Sequence, residues 1–182
     1  MKNINYITFS SIPSSLPSSL QTIKTCENLS KYKNDVTLIK PGTGNKKISI
    51  NKYYGLKYKV NIKEFSNFNS FPRGLNFYLY CFSCLFFILK DRNSISITRN
   101  YFVCFLITLF QQNAILEIHH DINIEGRITK FIIKYLNFLN KKRLIKIVAI
   151  SNAVKKLFVK KYNVISKKII VLPSGSSIKT NY

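Results

Sequence analysis

Short runs of β-favouring residues alternate with segments of helical periodicity along almost the whole chain. The runs lie at 4–9, 36–39, 60–65, 94–98, 114–118, 145–150 and 169–172. Repeated strand-helix units build parallel sheets with right-handed crossovers, whereas antiparallel or all-helical layouts do not explain this order. The pattern therefore predicts an α/β fold, a doubly wound parallel sheet with helices on both faces.

Helical periodicity marks most of the segments between these strands. The first helix is expected from Ser18 or Ser19, with a serine as its N-cap. Further helices are expected at 75–89, at 101–112, at 125–143 and from Ser151-Asn152 to about residue 162. The helix at 125–143 is basic and amphipathic, with an apolar side formed by Ile128, Phe131, Ile132, Tyr135, Leu136 and Leu139. In this arrangement the sheet is Rossmann-like.

Length and charge limit the classes of protein that the chain can represent. At 182 residues it fits one domain and is too short for two nucleotide-binding-type domains, since a domain usually takes roughly 100–200 residues. The formal net charge is +22, yet 24 of the 29 basic residues are lysines. Proteins that read nucleic-acid bases rely on arginine, so we favour a chain-wide compositional bias and expect no nucleic-acid partner. Residues 122–182 hold 14 basic residues and only Glu125 as an acid, which keeps an anionic membrane surface open as a partner.

The cysteines and the apolar runs favour a protein without disulfides or membrane spans. Cys81, Cys84 and Cys104 lie inside apolar runs, where a free thiol packs as a small hydrophobic group. Cys81 and Cys84 have the spacing of a redox or zinc pair but lack a second pair, so core packing is the favoured interpretation. The apolar runs at 75–89 and 101–110 fall short of the roughly 17–20 residues that a spanning helix needs. With no signal peptide evident, we expect a cytoplasmic protein that can lie peripherally on the inner face of the cytoplasmic membrane.

Polar residues follow several of the predicted strands, and ligands of open parallel sheets bind just beyond the carboxyl ends of strands. Strand alternation places Glu117 and His119 on one side and His120 on the other. Imidazole suits general acid-base work or a hydrogen bond to a sugar hydroxyl, although two loop histidines satisfied by backbone groups would give the same sequence. Helix capping alone explains Ser151 and Asn152 and is the favoured interpretation, although the same helix start could also receive an anion. The candidate site residues are Ser11, Ser14, Ser15, Arg99, Glu117, His119, His120, Ser151 and Asn152.

Several short segments, in a fixed order, resemble the N-terminal domain of family 4 glycosyltransferases, which are enzymes of the two-domain GT-B fold. The opening strand with its Ser-rich loop, the helix that follows and VTLI at 36–39 are similar to the family's first βαβ unit. SITRN at 96–100 is similar to its strand followed by arginine, and LEIHHD at 116–121 is similar to its Glu-x-His strand end. The most specific segment is IVAISNAVKK at 147–156, followed by KIIVLPSG at 168–175. The matches extend over nearly the whole chain.

The resemblance implies transfer of a sugar from a nucleotide-sugar donor to a glycan or lipid-linked acceptor in cell-envelope polysaccharide biosynthesis. The nucleotide sugar is a co-substrate, and the resemblance implies neither a metal nor another cofactor. It implies that His119 is catalytic, either contacting a sugar hydroxyl or positioning the acceptor, and that Arg99 and Glu117 support this strand end. The serines from Ser11 to Ser15 would line the acceptor side of the cleft, near the donor phosphates. The further cleft residues would be His120, Ser151 and Asn152.

The resemblance also sets the expected domain boundaries. It implies an N-terminal Rossmann-like domain at 1–175 and the start of an interdomain linker at 176–182, with the C-terminal donor-binding domain missing. The chain alone is therefore expected to be inactive and to need a separate C-terminal domain. A Ser/Pro loop replaces the family's glycine-rich first loop, and SGSS stands at 174–177 where the family often has Asn-Gly-Val-Asp. The alternative functions are a non-catalytic basic Rossmann-like module on an anionic membrane surface or another polyanion, and an inactive remnant.

Overall fold

The described part of the chain forms one parallel sheet of seven strands. The computed structural model describes residues 2–42, 49–65 and 73–173. The strands are β1 (Asn3–Ile7), β2 (Asp35–Pro41), β3 (Asn61–Phe65), β4 (Ile95–Thr98), β5 (Asn113–Ile118), β6 (Leu144–Ala149) and β7 (Ile169–Val171). Their order in the sheet is β3-β2-β1-β4-β5-β6-β7, and each neighbouring pair is parallel. This order confirms the predicted doubly wound, Rossmann-like sheet.

Helices cover both faces of the sheet. They are α1 (Pro17–Lys31), α2 (Ile50–Tyr53), α3 (Arg73–Ile88), α4 (Tyr101–Leu109), α5 (Arg127–Leu136) and α6 (Asn152–Tyr162). Buried residues of α1 and α2 pack with one core cluster, and those of α3 to α6 pack with the other. Within the described ranges, no helix has the length and the apolar character needed to cross a membrane.

The chain reverses its direction of winding between β1 and β4, which lie side by side at the centre of the sheet. Strand alternation sends Tyr6 and Ile97 to the face of α1, where they pack with Ile23 and Cys26. Ile7 points to the opposite face and packs with the cluster of α3 and α4. In open sheets of this kind the crevice for a ligand lies at this reversal, beyond the carboxyl ends of the strands.

The start of α1 corrects the sequence prediction. The N-cap residue is Leu16, which makes no side-chain capping bond, and Pro17 is the first helical residue. Proline fits this position because its fixed φ suits the first turn and its missing N–H is not needed there. Ser19 was expected as a cap, but its hydroxyl donates to the backbone carbonyl of Ser11 across 3.0 Å. A serine N-cap at Ser18 or Ser19 is therefore wrong.

The basic helix is shorter than the predicted range 125–143. It ends at Leu136 because Asn137 takes up a left-handed conformation at φ 43°, and a 3₁₀ turn, Phe138–Asn140, follows. Asparagine tolerates this conformation better than most residues. The predicted apolar side is also divided, since Ile132 is buried whereas Phe131 and Tyr135 are exposed. In the same way the helix expected at 101–112 ends at Leu109.

All four cysteines of the chain are free and buried. Burial raises the pKa of the Cys81 thiol and raises the pKa of the Cys84 thiol to about 12. Burial likewise raises the pKa values of Cys26 and Cys104. Thiols in this state are poor nucleophiles and poor metal ligands. Cys81 and Cys84 both belong to the core cluster of α3 and α4, so their predicted core packing is confirmed.

Candidate functional site

Glu117 is the centre of a polar cluster at the carboxyl end of β5. Its Oε2 atom accepts a hydrogen bond from Arg99 Nε at 2.8 Å and one from the Tyr6 hydroxyl at 3.0 Å. The His119 Nε2 atom lies 3.7 Å from the same oxygen, too far for a direct hydrogen bond. We call these four residues the Glu117 cluster.

The register of the parallel strands brings the Glu117 cluster together. Thr98 of β4 pairs with Leu116 of β5. Arg99 and Glu117 are the residues that follow this pair, so they lie side by side. Tyr6 reaches the same point from β1, the neighbour of β4. His119 follows Glu117 by two residues and so leaves the strand on the same face. The cluster therefore lies at the carboxyl ends of the strands, next to the point between β1 and β4 where the winding reverses.

Charge and burial fix the protonation of Glu117, Tyr6 and Arg99. Burial would raise the pKa of Glu117, but the contacts with His119, Arg99 and Tyr6 lower it further than burial raises it. Burial raises the pKa of Tyr6, and the Glu117 charge adds to this effect, so the phenol stays a neutral donor. Burial would lower the pKa of Arg99, but Tyr6 and Glu117 raise it on balance. The cluster thus contains a fixed ion pair with a neutral phenol beside it.

The two histidines face different carboxylates. His119 lies beside Glu117, whereas His120 Nε2 lies 3.8 Å from Glu125 Oε1 and its Nδ1 lies 3.2 Å from the Asp121 carbonyl oxygen. The side chain of His119 is 25% exposed and that of His120 is 46% exposed. The separation predicted from strand alternation is present, and only His119 joins the Glu117 cluster.

The Ser-rich loop after β1 is held by a tyrosine of the segment between β2 and β3. The Tyr54 hydroxyl donates to the Ser14 carbonyl at 2.6 Å and accepts from the Ser14 N–H at 2.7 Å. The Ser14 hydroxyl accepts from the Leu16 N–H at 3.1 Å. Ser11 and Ser15 are exposed. The loop follows β1 and therefore lies at the same edge of the sheet, but no contact among the described residues joins these serines to the Glu117 cluster.

Two helices begin at this edge with capped N-termini. The Ser151 hydroxyl accepts from the Val154 N–H at 3.2 Å and caps α6, and Asn152 is the exposed first residue of the helix. The Asn100 side chain accepts from the Val103 N–H at 3.0 Å and caps α4. Capping was the favoured interpretation of Ser151, and the structure confirms it. The polar segment at 174–177 lies outside the described residues.

No protein-family model matches the chain, and no curated protein sequence matches it. A glycosyltransferase from Rickettsia africae ESF-5 has a TM-score of 0.60 at 18% identity, over 94% of this chain and 42% of that one. HepE from Anabaena, solved with UDP and glucose, has a TM-score of 0.64 at 11% identity, over 97% of this chain and 45% of that one. The lipopolysaccharide outer core galactosyltransferase WaaB has a TM-score of 0.57 at 16% identity, over 99% of this chain and 47% of that one.

These structures are GT-B glycosyltransferases. The chain has the fold of one half of a GT-B enzyme. It spans less than half the length of each of the three. At these sequence identities the likeness establishes the fold, and the role of each side chain in this GT-B domain depends on its own geometry.

Sequence reasoning missed two features of this GT-B domain. Tyr6 belongs to the Glu117 cluster, whereas the sequence pattern identified it only as a strand residue. Its burial was the signal that could have found this role, because a buried tyrosine needs a hydrogen-bond partner for its hydroxyl. Asp121 ties the loop after β5 to α6, because it accepts hydrogen bonds from Lys161 at 2.7 Å and from the Tyr162 hydroxyl. No local pattern indicates this second contact, because Lys161 comes 40 positions after Asp121 in the chain.

Proposed function

We propose that the chain is the N-terminal, acceptor-side domain of a glycosyltransferase that moves a sugar from a nucleotide-sugar donor to an acceptor hydroxyl. The observation that carries this proposal is the Glu117 cluster at the carboxyl edge of a GT-B half, where an ion pair lies beside a partly exposed histidine. Sites of this fold class use that edge for ligands. The solved structures of similar fold are glycosyltransferases, which supports the same class of reaction.

Each member of the Glu117 cluster has a distinct role in this proposal. Glu117 stays ionised and orients the His119 imidazole, which hydrogen-bonds a hydroxyl of the sugar or of the acceptor. Arg99 neutralises Glu117 and holds it in place, and Tyr6 fixes the same carboxylate oxygen from β1. Ser11, Ser14 and Ser15 would line the acceptor side of the cleft beside them. These contacts position reacting groups, and such positioning can account for much of an enzyme's rate enhancement.

The remaining chemistry would come from a separate C-terminal domain. A departing nucleoside diphosphate needs preorganised positive charge or helix N-termini around its phosphates. The three similar structures are more than twice as long as their matched part, which supports a second, donor-binding domain as the partner of this one. The nucleotide sugar is the co-substrate of the proposed reaction, which uses no metal or other cofactor.

The proposed acceptor is a glycan or a lipid-linked glycan of the cell envelope, reached from the cytoplasmic face of the membrane. The similarity to a lipopolysaccharide galactosyltransferase supports an envelope acceptor. The formal net charge of +22 supports peripheral contact with an anionic membrane. In this arrangement the protein lies against the inner face of the cytoplasmic membrane without spanning it.

Release of nucleoside diphosphate from a panel of UDP- and GDP-sugars tests the proposal, with membranes of the source organism as acceptor. We expect the 182-residue chain alone to release none. We expect release when the chain is combined with a donor-binding domain encoded next to it in the genome. Donor-dependent transfer by the chain alone would show that the division of roles between two domains is wrong. A combined protein that releases no nucleotide would contradict the glycosyltransferase assignment and favour a non-catalytic basic module or an inactive remnant.

A further inference from the structure

The helix α5 carries three different faces. Its residues Ile132 and Ile133 are buried against the core. Each residue turns an α-helix by about 100°, so six of the other side chains fall into two separate groups. One group consists of Ile128, Phe131 and Tyr135, and the other consists of Arg127, Lys130 and Lys134. The two groups share the solvent side of the helix.

The first group forms an exposed apolar stripe, which we define as Ile128, Phe131 and Tyr135. These side chains are 49%, 56% and 61% exposed. The rings of Phe131 and Tyr135 lie 4.9 Å apart, so they form one continuous surface. Clustered apolar side chains at the surface mark sites of interaction with a protein or a membrane, whereas scattered ones do not.

A cavity of about 640 Å³ lies between α5 and α6, on the side of the lysines. Its lining includes Lys130, Lys134, Lys161, Asn123, Asn137 and Tyr162. Lys161 is paired with Asp121. None of the ion pairs among the described residues includes Lys130 or Lys134. We call this cavity the α5–α6 pocket; it is within the usual size range for a ligand site and contains two cations without a carboxylate partner.

We propose that α5 lies in the interface of an anionic bilayer, with the apolar stripe among the acyl chains and a phospholipid headgroup phosphate in the α5–α6 pocket. A bilayer places phosphates directly above acyl chains, and α5 places lysines directly beside apolar side chains. Lysine stems extend along apolar surface and carry their ammonium groups to the level of the phosphates. The lining amides of Asn123 and Asn137 supply further polar groups for phosphate or glycerol oxygens.

Charge favours this occupant over a second copy of the chain or another basic protein. The segment from residue 122 to 182 has Glu125 as its only acidic residue, so few negative groups repel an anionic surface. A second copy would bring the same excess of lysines against this face. The inference deepens the peripheral association within the proposed function and is independent of sugar transfer.

Flotation of the full 182-residue chain with lipid vesicles tests the inference. Vesicles of phosphatidylcholine are compared with vesicles of phosphatidylcholine and phosphatidylglycerol, at low and high salt. We expect binding to the anionic vesicles that weakens as salt rises, because salt screens exposed charges. We expect Lys130→Gln with Lys134→Gln to weaken this binding by roughly 10- to 30-fold. We expect Phe131→Ala to weaken it by about tenfold, because a partly buried aromatic side chain is lost from the bilayer.

Matched control variants lie at the last residue of α1 and in the turn directly after it, on the opposite face of the sheet. Lys31→Gln with Lys33→Gln removes the same charge, and Tyr32→Ala removes a side chain that is 75% exposed. We expect these variants to bind like the unmodified chain, and circular dichroism verifies that every variant is folded. Equal losses in the α1 and α5 variants would overturn the proposal, as would equal binding to neutral and anionic vesicles. These outcomes do not depend on enzyme activity.

Glycerol 3-phosphate distinguishes a lipid headgroup from a free phosphate ligand. We expect it to shift NMR signals of residues that line the α5–α6 pocket, with an affinity far below that of the anionic vesicles. The shifts should disappear in the Lys130→Gln, Lys134→Gln variant. Free glycerol 3-phosphate that binds as tightly as vesicles, or that shifts no signal of the pocket, would overturn the assignment of the pocket to a bilayer headgroup.

Discussion

Arg99 donates its Nε–H to Glu117 Oε2 across 2.8 Å, and this ion pair joins the carboxyl ends of β4 and β5. The two side chains are 26% and 14% exposed. Tyr6 donates to the same oxygen from β1. The carboxylate therefore connects three adjacent strands directly beside His119, so its loss should affect both stability and the position of the imidazole.

Glu117→Gln should destabilise the fold. The substitution leaves Arg99 in a mostly buried position without its counter-charge, and we expect a loss of about 2–3 kcal/mol in the free energy of unfolding. Urea unfolding measures this loss. The control is Glu125→Gln, since the Glu125 carboxylate lies 3.8 Å from His120 and makes only a loose pair. Losses of the same size in both variants would contradict the role given to the Arg99 pair.

Stability should fall with acid in a way that depends on Glu117. Burial acts to raise its pKa, but the contacts with His119, Arg99 and Tyr6 bring it below the ordinary value. The unfolded chain then takes up this proton at a higher pH than the native protein. The stabilisation is complete above the unfolded value of about 4.3 and is lost as the pH falls through the native value. Urea unfolding below about pH 5 should give a shallower decline for Glu117→Gln, and parallel curves would contradict the shift.

Asp121 should titrate well below an ordinary aspartate. The hydrogen bond from Lys161, followed by the one from Tyr162, lowers the pKa of Asp121 to about 2. An NMR titration of its carboxyl carbon should find this midpoint. Lys161→Gln removes the larger contribution and should raise the midpoint, whereas Lys160→Gln on the same helix should leave it unchanged. If the Asp121 midpoint in Lys161→Gln is the same as in the unmodified chain, the contact between the β5 loop and α6 is not formed in solution.

Ser151→Ala should cost α6 its N-cap. The serine hydroxyl accepts from the Val154 N–H, and losing such a cap usually costs about 1 kcal/mol. Ser151→Asp keeps an acceptor at this position and should restore most of the stability. Thermal unfolding of the two variants measures the difference. Equal stability of Ser151→Ala and the unmodified chain would mean that the hydroxyl serves a purpose other than capping.

The overall fold could be predicted because its signals are local. The strand runs and the helices between them lie within short windows of sequence, and parallel order follows from their alternation. Helix ends were less predictable, because they depend on single residues. α1 begins at Pro17, whereas the helix was expected from Ser18 or Ser19. α5 ends at Leu136, seven residues before the expected end at 143, because Asn137 is left-handed.

The site could be predicted only in part, for a physical reason. Glu117 and His119 are two residues apart on one strand, so alternation alone placed them on one side. The contacts of Tyr6 and Arg99 with Glu117 depend on the register between three strands that are distant in sequence. Residues of α5 illustrate the same limit, since periodicity identified the apolar side chains but could not tell that Phe131 and Tyr135 are exposed.

The most direct measurement of the central claim is sugar transfer by the chain combined with the proposed donor-binding domain, with His119→Ala compared with His120→Ala. His119 lies beside the ionised Glu117, whereas His120 lies beside Glu125. We expect His119→Ala to lower transfer by at least about 100-fold, as loss of a side chain that positions the reacting groups can do, and His120→Ala to lower it by less than about tenfold. Circular dichroism confirms that both variants are folded. Transfer that survives His119→Ala undiminished, or that falls equally in both variants, would contradict the placement of the reacting groups at the Glu117 cluster.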